Sequence, residues 1–202
     1  TGLSRTSLDQ LQTLWRPALL ITLTLVLTGI VVGLWSSRLL GIDPVVALLG
    51  AAPGGWSQVA ANRVLQKNSG KIIGLDLLSM DPISGATLLQ ADFMSQDGLE
   101  SLMKICPDGI DLVISDMAAP TTGHAPTDHI RTAALCEAAY DFAIDVLVLD
   151  GVFLAKVFKG GSEHTLLARM KKNFKSVRHA KPAASRAESP ETYVVARGFR
   201  GI

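Results

Sequence analysis

The sequence is poor in cysteine, and it contains no repeated or low-complexity tract. Cys106 and Cys136 have no metal-ligand spacing and are too few to form a disulfide scaffold. We therefore expect a protein of the reducing cytoplasm that holds no metal ion. The absence of repeats excludes a solenoid or a propeller. A chain of 202 residues, of which 48% are apolar, predicts one globular domain.

The chain as a whole has almost no net charge, but residues 156–200 are strongly basic. The net charge is +1, yet residues 156–200 contain eleven lysines and arginines against three acids. The first 155 residues contain eight bases and fifteen acids. A positive region of this kind attracts phosphate backbones and is typical of nucleic-acid binding. A solvated basic helix surface would give the same count, and charge alone does not separate the two interpretations.

The N-terminal part of the chain lacks lysine altogether, and residues 17–35 lack any charge. This apolar run is about as long as a membrane-spanning helix and is flanked by Arg16 and Arg38. Its threonines, its glycines and the alternating stretch ITLTLVLT also suit a segment packed on, or disordered beside, a soluble domain. The run does not resemble a cleaved signal peptide, because no small-residue cleavage motif follows a short positive start. A membrane anchor is therefore one of two open interpretations.

After Gly41, short apolar runs that end in an acid or a glycine alternate with stretches of helical character. This pattern is typical of βαβ units and predicts an α/β fold, with a mostly parallel sheet and helices on both faces. The last two strands are too close for a crossover helix, so we expect them to form an antiparallel hairpin. We predict strands at 45–49, 71–75, 87–90, 111–115, 151–157, 176–180 and 192–196, and helices at 55–65, 98–105, 128–148 and 164–173.

Three features of this pattern could bind a nucleotide-like ligand. Gly50, Gly54 and Gly55 follow the first strand, where small residues let the backbone approach a ligand, although a tight structural turn is an alternative. Asp76 ends the second strand, where an acid can accept hydrogen bonds from a ribose diol. Asp92 follows the third strand at the same sheet edge, and its alternative role is that of a helix cap.

Six stretches, in their order and spacing, resemble the motifs of the FtsJ/RrmJ family of RNA 2′-O-methyltransferases. They are LLGAAPGGWSQVA, IIGLDLLSMDPISG, LLQADF, DLVISDMAAPTTG, GVFLAKVF and KPAASRAESPETYVVARG. The pair SDMAAP and AKVF separates this family from general nucleotide binders. The resemblance implies a Rossmann-like methyltransferase domain at residues 44–202 and leaves residues 1–43 as an atypical hydrophobic N-terminal segment.

The resemblance also implies a binding site for S-adenosyl-L-methionine. Gly54 and Trp56 would contact this cofactor, Asp76 would bind its ribose and Asp92 its adenine. Asp116 would lie near its methionine end. The implied substrate is RNA, specifically a uridine of large-subunit (23S) ribosomal RNA within the large subunit, and the implied protein is a cytoplasmic monomer.

A catalytic group of Lys156, Asp116 and Glu191 follows from the same resemblance, as three members of a Lys-Asp-Lys-Glu tetrad. Methyl transfer to a ribose hydroxyl requires that the hydroxyl be aligned and lose its proton. A lysine accepts that proton only in its neutral form, which burial favours. Nearby carboxylates oppose that form, so we expect Asp116 and Glu191 to orient Lys156. Without the resemblance, these residues would be a strand-end lysine reaching solvent, a turn former and an exposed hairpin acid.

Two positions depart from the family pattern. The family has an acid where this chain has Leu48, and its first tetrad lysine is missing because no lysine precedes Lys67. Arg38 is the nearest cation, and an arginine can hold a phosphate but does not titrate. A catalytically impaired RNA- or ribosome-binding protein is therefore the alternative function. A nucleotide-dependent oxidoreductase is disfavoured, because GAAPGGW lacks the G-x-G-x-x-G spacing.

Both departures lie in or beside the hydrophobic segment. One hypothesis is that the residues before about Pro44 replaced the family's own N-terminus through a changed start site or a reading-frame error. The other is that they anchor a methyltransferase domain to a membrane. His124 and His129, in a polar loop, have no third ligand at suitable spacing, and we do not expect them to bind a metal.

Overall fold

The computed structural model describes residues 45–50, 60–61, 70–106, 109–158, 164–181 and 191–201. The strands are β1 (Val45–Leu49), β2 (Lys71–Asp76), β3 (Ala86–Gln90), β4 (Ile110–Ser115), β5 (Leu147–Phe158), β6 (Phe174–Ala180) and β7 (Glu191–Phe199). The helices are α1 (Gln96–Ile105), α2 (Ala125–Val146) and α3 (His164–Asn173). Among these three helices, none combines the length and the apolar character needed to cross a membrane. The apolar run at 17–35 and the predicted ligands Gly54 and Trp56 lie outside the described residues.

The seven strands form one sheet in the order β3-β2-β1-β4-β5-β7-β6. Neighbouring strands from β3 to β5 are parallel, whereas β7 runs antiparallel to both β5 and β6. This topology confirms the predicted α/β class, with its mostly parallel sheet and its C-terminal antiparallel hairpin. The strand order reverses between β1 and β4, and in such sheets ligands bind outside the carboxyl ends of the strands at that point.

Helical residues pack on both faces of the sheet. On one face, Leu102 of α1, Tyr140 of α2 and Met170 of α3 belong to a single core cluster. On the other face, Leu48 and its neighbours pack against the helical residues Ala60 and Ala61. The central strands are mostly apolar, as is typical of strands that are covered on both sides. Leu48, where the family has an acid, is fully buried in this second cluster.

The predicted boundary between the long helix and the fifth strand is wrong. The helix begins three residues earlier than the predicted 128, with Pro126 in its first turn, and β5 follows it directly at Leu147. The pairing of β5 with β4 is irregular, since Ile110 pairs with Leu147 but Leu112 pairs with Val152. The extra residues form a bulge in which Asp150 has φ of 65°. Such a bulge breaks the period-2 alternation that marks a strand.

Candidate functional site

A cavity of about 490 Å³ opens at the carboxyl ends of the strands that flank the reversal point. Its size is typical of small-molecule sites. Its wall is formed by Gly50 after β1, Leu75 to Leu77 at the end of β2, residues 92–94 after β3 and residues 117–120 after β4, with Arg131, Ala134 and Leu135 of α2 on the remaining side. The structure therefore places Asp76 and Asp92 in one cavity, as the sequence predicted.

Each of these two carboxylates is held by its own backbone. Asp76 Oδ1 accepts a hydrogen bond from the backbone N–H of Leu78 at 2.9 Å. Asp92 Oδ1 accepts one from the N–H of Met94, also at 2.9 Å. These local turns fix the carboxylate orientation. In the part of the chain that the structure describes, the second oxygen of each has no hydrogen-bond partner, so both can accept bonds from ligand hydroxyl or amine groups.

Exposed apolar side chains line the same part of the cavity. Leu77 is 65% exposed and Met94 is 55% exposed, while Phe93 between the two loops is buried. Large exposed apolar groups beside a few polar groups are typical of a ligand site, and they suit the faces of a planar ring. The sequence analysis did not identify Leu77 or Met94. Their position directly beside Asp76 and Asp92 is the signal that could have found them.

Gly50 lets the end of β1 approach the end of β4. A Cβ added at Gly50 would lie 2.3 Å from Met117 Cγ and 3.1 Å from Met117 Cα, and the residue has φ of 60°. Both features require glycine. The N–H of the neighbouring Asp116 donates to the carbonyl of Leu49 at 3.0 Å. The close approach therefore holds Asp116 beside the cavity.

The three predicted catalytic residues meet at this sheet edge. Lys156 Nζ lies 3.0 Å from Asp116 Oδ1 and 3.6 Å from Glu191 Oε1. Asp116 follows β4, Lys156 lies near the end of β5, and Glu191 begins β7. The side chains of Lys156 and Asp116 are each 12% exposed, whereas that of Glu191 is 45% exposed. The cluster is thus closed on the protein side and accessible at Glu191.

Tyr193 is a fourth member of this cluster that the sequence analysis missed. Its hydroxyl donates to Asp116 Oδ1 at 3.1 Å. The β5–β7 register pairs Lys156 with Tyr193 and Phe158 with Glu191. Because alternate residues of a strand share a face, Glu191 and Tyr193 project to the same side. That alternation, visible in the run ETYVV, is the signal that could have identified Tyr193.

Burial raises the pKa of two acidic groups in this cluster, Asp116 and Tyr193. It raises the pKa of Asp116, against the opposing effects of the Lys156 charge and of the hydrogen bonds from Lys156 and Tyr193. Burial also raises the pKa of Tyr193 well above its ordinary value, and the negative charge of Asp116 adds to the rise. Tyr193 therefore remains a protonated donor that holds one oxygen of Asp116 in place.

The two histidines near the start of α2 contact a hydroxyl and an aromatic ring among the described residues. His124 Nδ1 lies 2.8 Å from Thr127 Oγ1, and the His129 ring lies 5.5 Å from the ring of Phe158. Within the described ranges, no group of three His, Cys, Asp or Glu residues is placed to hold a metal ion. The structure thus brings Asp76, Asp92, Asp116, Lys156 and Glu191 to one edge of the sheet.

Comparison with protein families gives two matches. The model of the FtsJ-like methyltransferase family matches residues 38–199, which is most of the chain. The model described as transition state regulatory protein AbrB matches residues 2–69, about a third of the chain, and overlaps the first match.

Two similar curated proteins share one name. The chain is 56% identical over 156 residues to the ribosomal RNA large subunit methyltransferase E of Paramagnetospirillum magneticum, a match that covers 76% of this chain and 64% of that protein. It is 55% identical over 157 residues to the protein of the same name from Rhodospirillum rubrum, covering 76% and 59%. The chain therefore spans about three fifths of the length of the curated relatives that it matches.

Solved structures share the fold. A ribosomal RNA methyltransferase from Plasmodium falciparum superimposes with a TM-score of 0.70 at 28% identity, covering 80% of this chain and 89% of that one. Human methyltransferase-like protein 13, in complex with SAH, superimposes with a TM-score of 0.56 at 14% identity, covering 93% and 80%. At 14% identity, the similarity to the human protein shows a shared fold and nothing more. Both confirm that the Rossmann-like fold expected from the sequence is that of methyltransferases.

Proposed function

This chain belongs to the FtsJ-like methyltransferase family, and from that premise we propose that it transfers a methyl group from S-adenosylmethionine to a ribose 2′-hydroxyl of RNA. The observation that carries the proposal is the position of Lys156 Nζ between the carboxylates of Asp116 and Glu191, at the sheet edge that also holds the cavity. An amine and two acids at this edge can align a hydroxyl and receive its proton.

The proposed target is a uridine of large-subunit (23S) ribosomal RNA within the large subunit. This choice follows the name shared by the relatives, together with the uridine implied by the family resemblance. The basic character of residues 156–200 supports an RNA partner. A ribosomal substrate also agrees with a cytoplasmic protein.

The residues of the cavity fit S-adenosylmethionine. The free carboxylate oxygen of Asp76 can accept bonds from a ribose diol, and that of Asp92 can accept one from an adenine amine. Leu77 and Met94 would cover the faces of the adenine ring. Gly54 and Trp56, outside the described residues, remain predicted contacts. When bound, the cofactor supplies an electrophilic methyl group on a sulfonium centre.

In the proposed mechanism, the cluster positions the hydroxyl and removes its proton. Asp116 and Glu191 hold Lys156 from two sides, and Tyr193 fixes Asp116, so the amine has little freedom to move. Neutral Lys156 accepts the proton as the oxygen attacks. Holding the oxygen in line with the methyl carbon can lower the barrier by roughly 7 to 11 kcal/mol, and the proton transfer contributes about 10² to 10⁴ in rate.

We also propose that residues 44–202 form the methyltransferase domain and that residues 1–43 are a separate segment. The start of the FtsJ-like match at residue 38 supports this division. The match to a different family overlaps the FtsJ-like match over residues 38–69.

The function can be tested by transfer of labelled methyl from S-adenosylmethionine to undermethylated large ribosomal subunits. We expect transfer by the protein and a loss of about 10² to 10⁴ in rate for Lys156→Ala. Lys171→Ala is the matched control, because Lys171 is exposed near the end of α3 and forms no part of the cluster. Cofactor binding, measured by calorimetry, should survive in both variants.

The alternative function predicts a different result. The missing tetrad lysine and the buried Leu48 favour a catalytically impaired RNA-binding protein. That protein would bind cofactor and subunits but would transfer no methyl group, whether or not Lys156 is present.

A further inference from the structure

Among the basic residues of the C-terminal region, two groups differ in their partners in the folded protein. Arg169 pairs with Asp141 and lies over the ring of Tyr140, with 5.0 Å between its Cζ and the ring centroid. Lys175 pairs with Asp150 of the β5 bulge. These charges are neutralised by neighbours, so they contribute to the structure and little to an outward positive field.

Arg178 of β6 and Arg197 of β7 form the other group. Both are exposed. Within the described residues, neither side chain has an ion-pair, hydrogen-bond or ring partner. Two guanidinium groups on adjacent strands are therefore exposed to solvent without a counter-charge from the residues that the structure describes.

The strand register places these two arginines on the same sheet face as the catalytic cluster. Arg178 lies opposite Val195, and Val195 is two residues from both Tyr193 and Arg197 along β7. Val195 packs against the cluster of buried residues that contains Tyr193, whereas Val177 packs against the cluster on the other face. Because alternate residues share a face, Arg178, Arg197 and Tyr193 project to one side.

The spacing suits an extended nucleic-acid backbone. Arg197 lies roughly 13 Å from Tyr193 along β7, and Arg178 lies one strand across and roughly 7 Å along, by ordinary strand dimensions. Nucleotides rise by about 3.4 Å each along one strand of a helix, so these distances correspond to a few nucleotides from the reacting ribose. A strand of RNA that presents its ribose to Lys156 can therefore pass over both arginines.

We propose that Arg178 and Arg197, here called the arginine pair, bind phosphates of the RNA that flank the target nucleotide. The proposal rests on the proposed function for the identity of the RNA. Arginine suits this role because its guanidinium remains charged and can bind a phosphate through two hydrogen bonds. The competing role for Arg178 is edge protection, because β6 is an edge strand and exposed basic side chains keep such edges from pairing with another chain.

The test compares two double substitutions that change the net charge equally. Arg178→Glu with Arg197→Glu removes the arginine pair. Lys171→Glu with Lys172→Glu is the control, because both lysines are exposed on α3, which packs on the opposite sheet face through Leu166 and Met170. Binding of ribosomal RNA is measured across a salt series, together with KM, kcat and cofactor affinity.

We expect the arginine variant to bind RNA at least about ten-fold more weakly and to lower the slope of log affinity against log salt by about one to two. Its cofactor affinity and its kcat at saturating RNA should equal those of the parent protein, which also shows that it is folded. The lysine control should change RNA affinity less than about two-fold, since long-range charge effects are screened by salt.

Several outcomes would overturn the proposal. Equal weakening in both variants would indicate a general charge effect, and unchanged RNA affinity in the arginine variant would exclude a phosphate contact. Increased self-association of Arg178→Gln without a change in RNA affinity would identify edge protection instead. If the parent protein binds RNA through the arginine pair but transfers no methyl group, the proposed function fails while this inference stands. A parent protein that binds no RNA would contradict both.

Discussion

The two halves of the candidate site, the proposed cofactor cavity and the proposed catalytic cluster, are assembled in different ways. In the cavity, Asp76 and Asp92 are each held by a backbone N–H two residues ahead. In the cluster, the hydrogen bond between Tyr193 and Asp116 joins residues 77 positions apart, and Lys156 comes from a third strand. The cavity carboxylates therefore depend on local turns, whereas the cluster exists only when β4, β5 and β7 are in register.

The two halves also differ in the solvent exposure of their polar groups. The cavity exposes apolar side chains and leaves carboxylate oxygens available to a ligand. The cluster encloses a lysine and an aspartate that contact one another. Substitutions in one half should therefore be separable from the other by measuring cofactor affinity and methyl transfer independently.

The largest effect should come from Asp116→Asn. We expect transfer to fall by at least about 100-fold, because Lys156 loses the charge that orients it, while cofactor affinity falls less. The raised pKa of Asp116 also makes the free energy of unfolding depend on pH. The stabilising contribution of this carboxyl group is complete below its unfolded pKa and is lost as pH rises through its folded pKa. The melting temperature of Asp116→Asn should therefore rise relative to that of the parent protein as pH increases from acidic to neutral. Retained transfer would show that the pair with Lys156 is not catalytic.

Gly98→Ala should damage the cavity half without touching the cluster. Alanine normally stabilises a helix relative to glycine by about 1 kcal/mol. Here its Cβ would lie 2.1 Å from the carbonyl oxygen of Asp92 and would displace the turn that carries this acid. We expect a loss of about 1 to 3 kcal/mol in unfolding free energy and about ten-fold in cofactor affinity. Ser101→Ala, at an exposed position in the same helix, is the control, and a stabilised Gly98→Ala protein would refute the close contact.

A smaller effect is expected from the apolar cavity wall. Leu77→Ser should weaken cofactor binding about five- to ten-fold, since roughly 1 kcal/mol of apolar burial is lost on binding. Leu149→Ser provides a matched control, because Leu149 is 71% exposed on the β5 bulge and lies outside the cavity lining. Calorimetric titration of both variants measures the difference. Equal affinities would mean that Leu77 does not contact the cofactor.

The smallest change should follow Tyr193→Phe. Loss of one hydrogen bond to Asp116 should lower kcat about two- to ten-fold, from roughly 0.5 to 1.5 kcal/mol. Cofactor affinity should not change. An unaltered kcat would show that the Tyr193 hydroxyl does not hold Asp116 for the reaction.

The two tyrosines of the chain also allow a direct test of burial in the cluster. Both Tyr140 and Tyr193 have a raised pKa, chiefly through burial. Their stabilising contribution is complete below the unfolded pKa of about 10 and is lost as pH rises through the folded value. The folded protein should therefore show little tyrosinate absorbance at about pH 10, unlike the unfolded chain. If one tyrosine of the parent protein titrates at about pH 10 and this titration is absent from Tyr193→Phe, the cluster is open to water.

Local patterns made much of this fold predictable. The seven strands were predicted because each apolar run ends at an acid or a glycine, and β1 was predicted at its observed limits. Asp76 and Asp92 were identifiable because the ends of parallel strands share one edge. The β5 bulge was not predictable, since residues 147–149 continue the apolar character of α2 and only the pairing with β4 assigns them to a strand.

The sequence by itself determined the α/β class. It also predicted Asp76 and Asp92 as cofactor ligands and, through the family motifs, Lys156, Asp116 and Glu191 as catalytic residues, and these roles stay predictions. Gly54, Trp56 and the role of residues 1–43 remain predictions from sequence. Only the tertiary structure decided that Tyr193 joins the cluster and that Arg178 and Arg197 share its face while Arg169 and Lys175 are paired elsewhere. The physical reason is that turns and strand ends are set by neighbours in the chain, whereas side-chain partners across a sheet are set by register between distant strands.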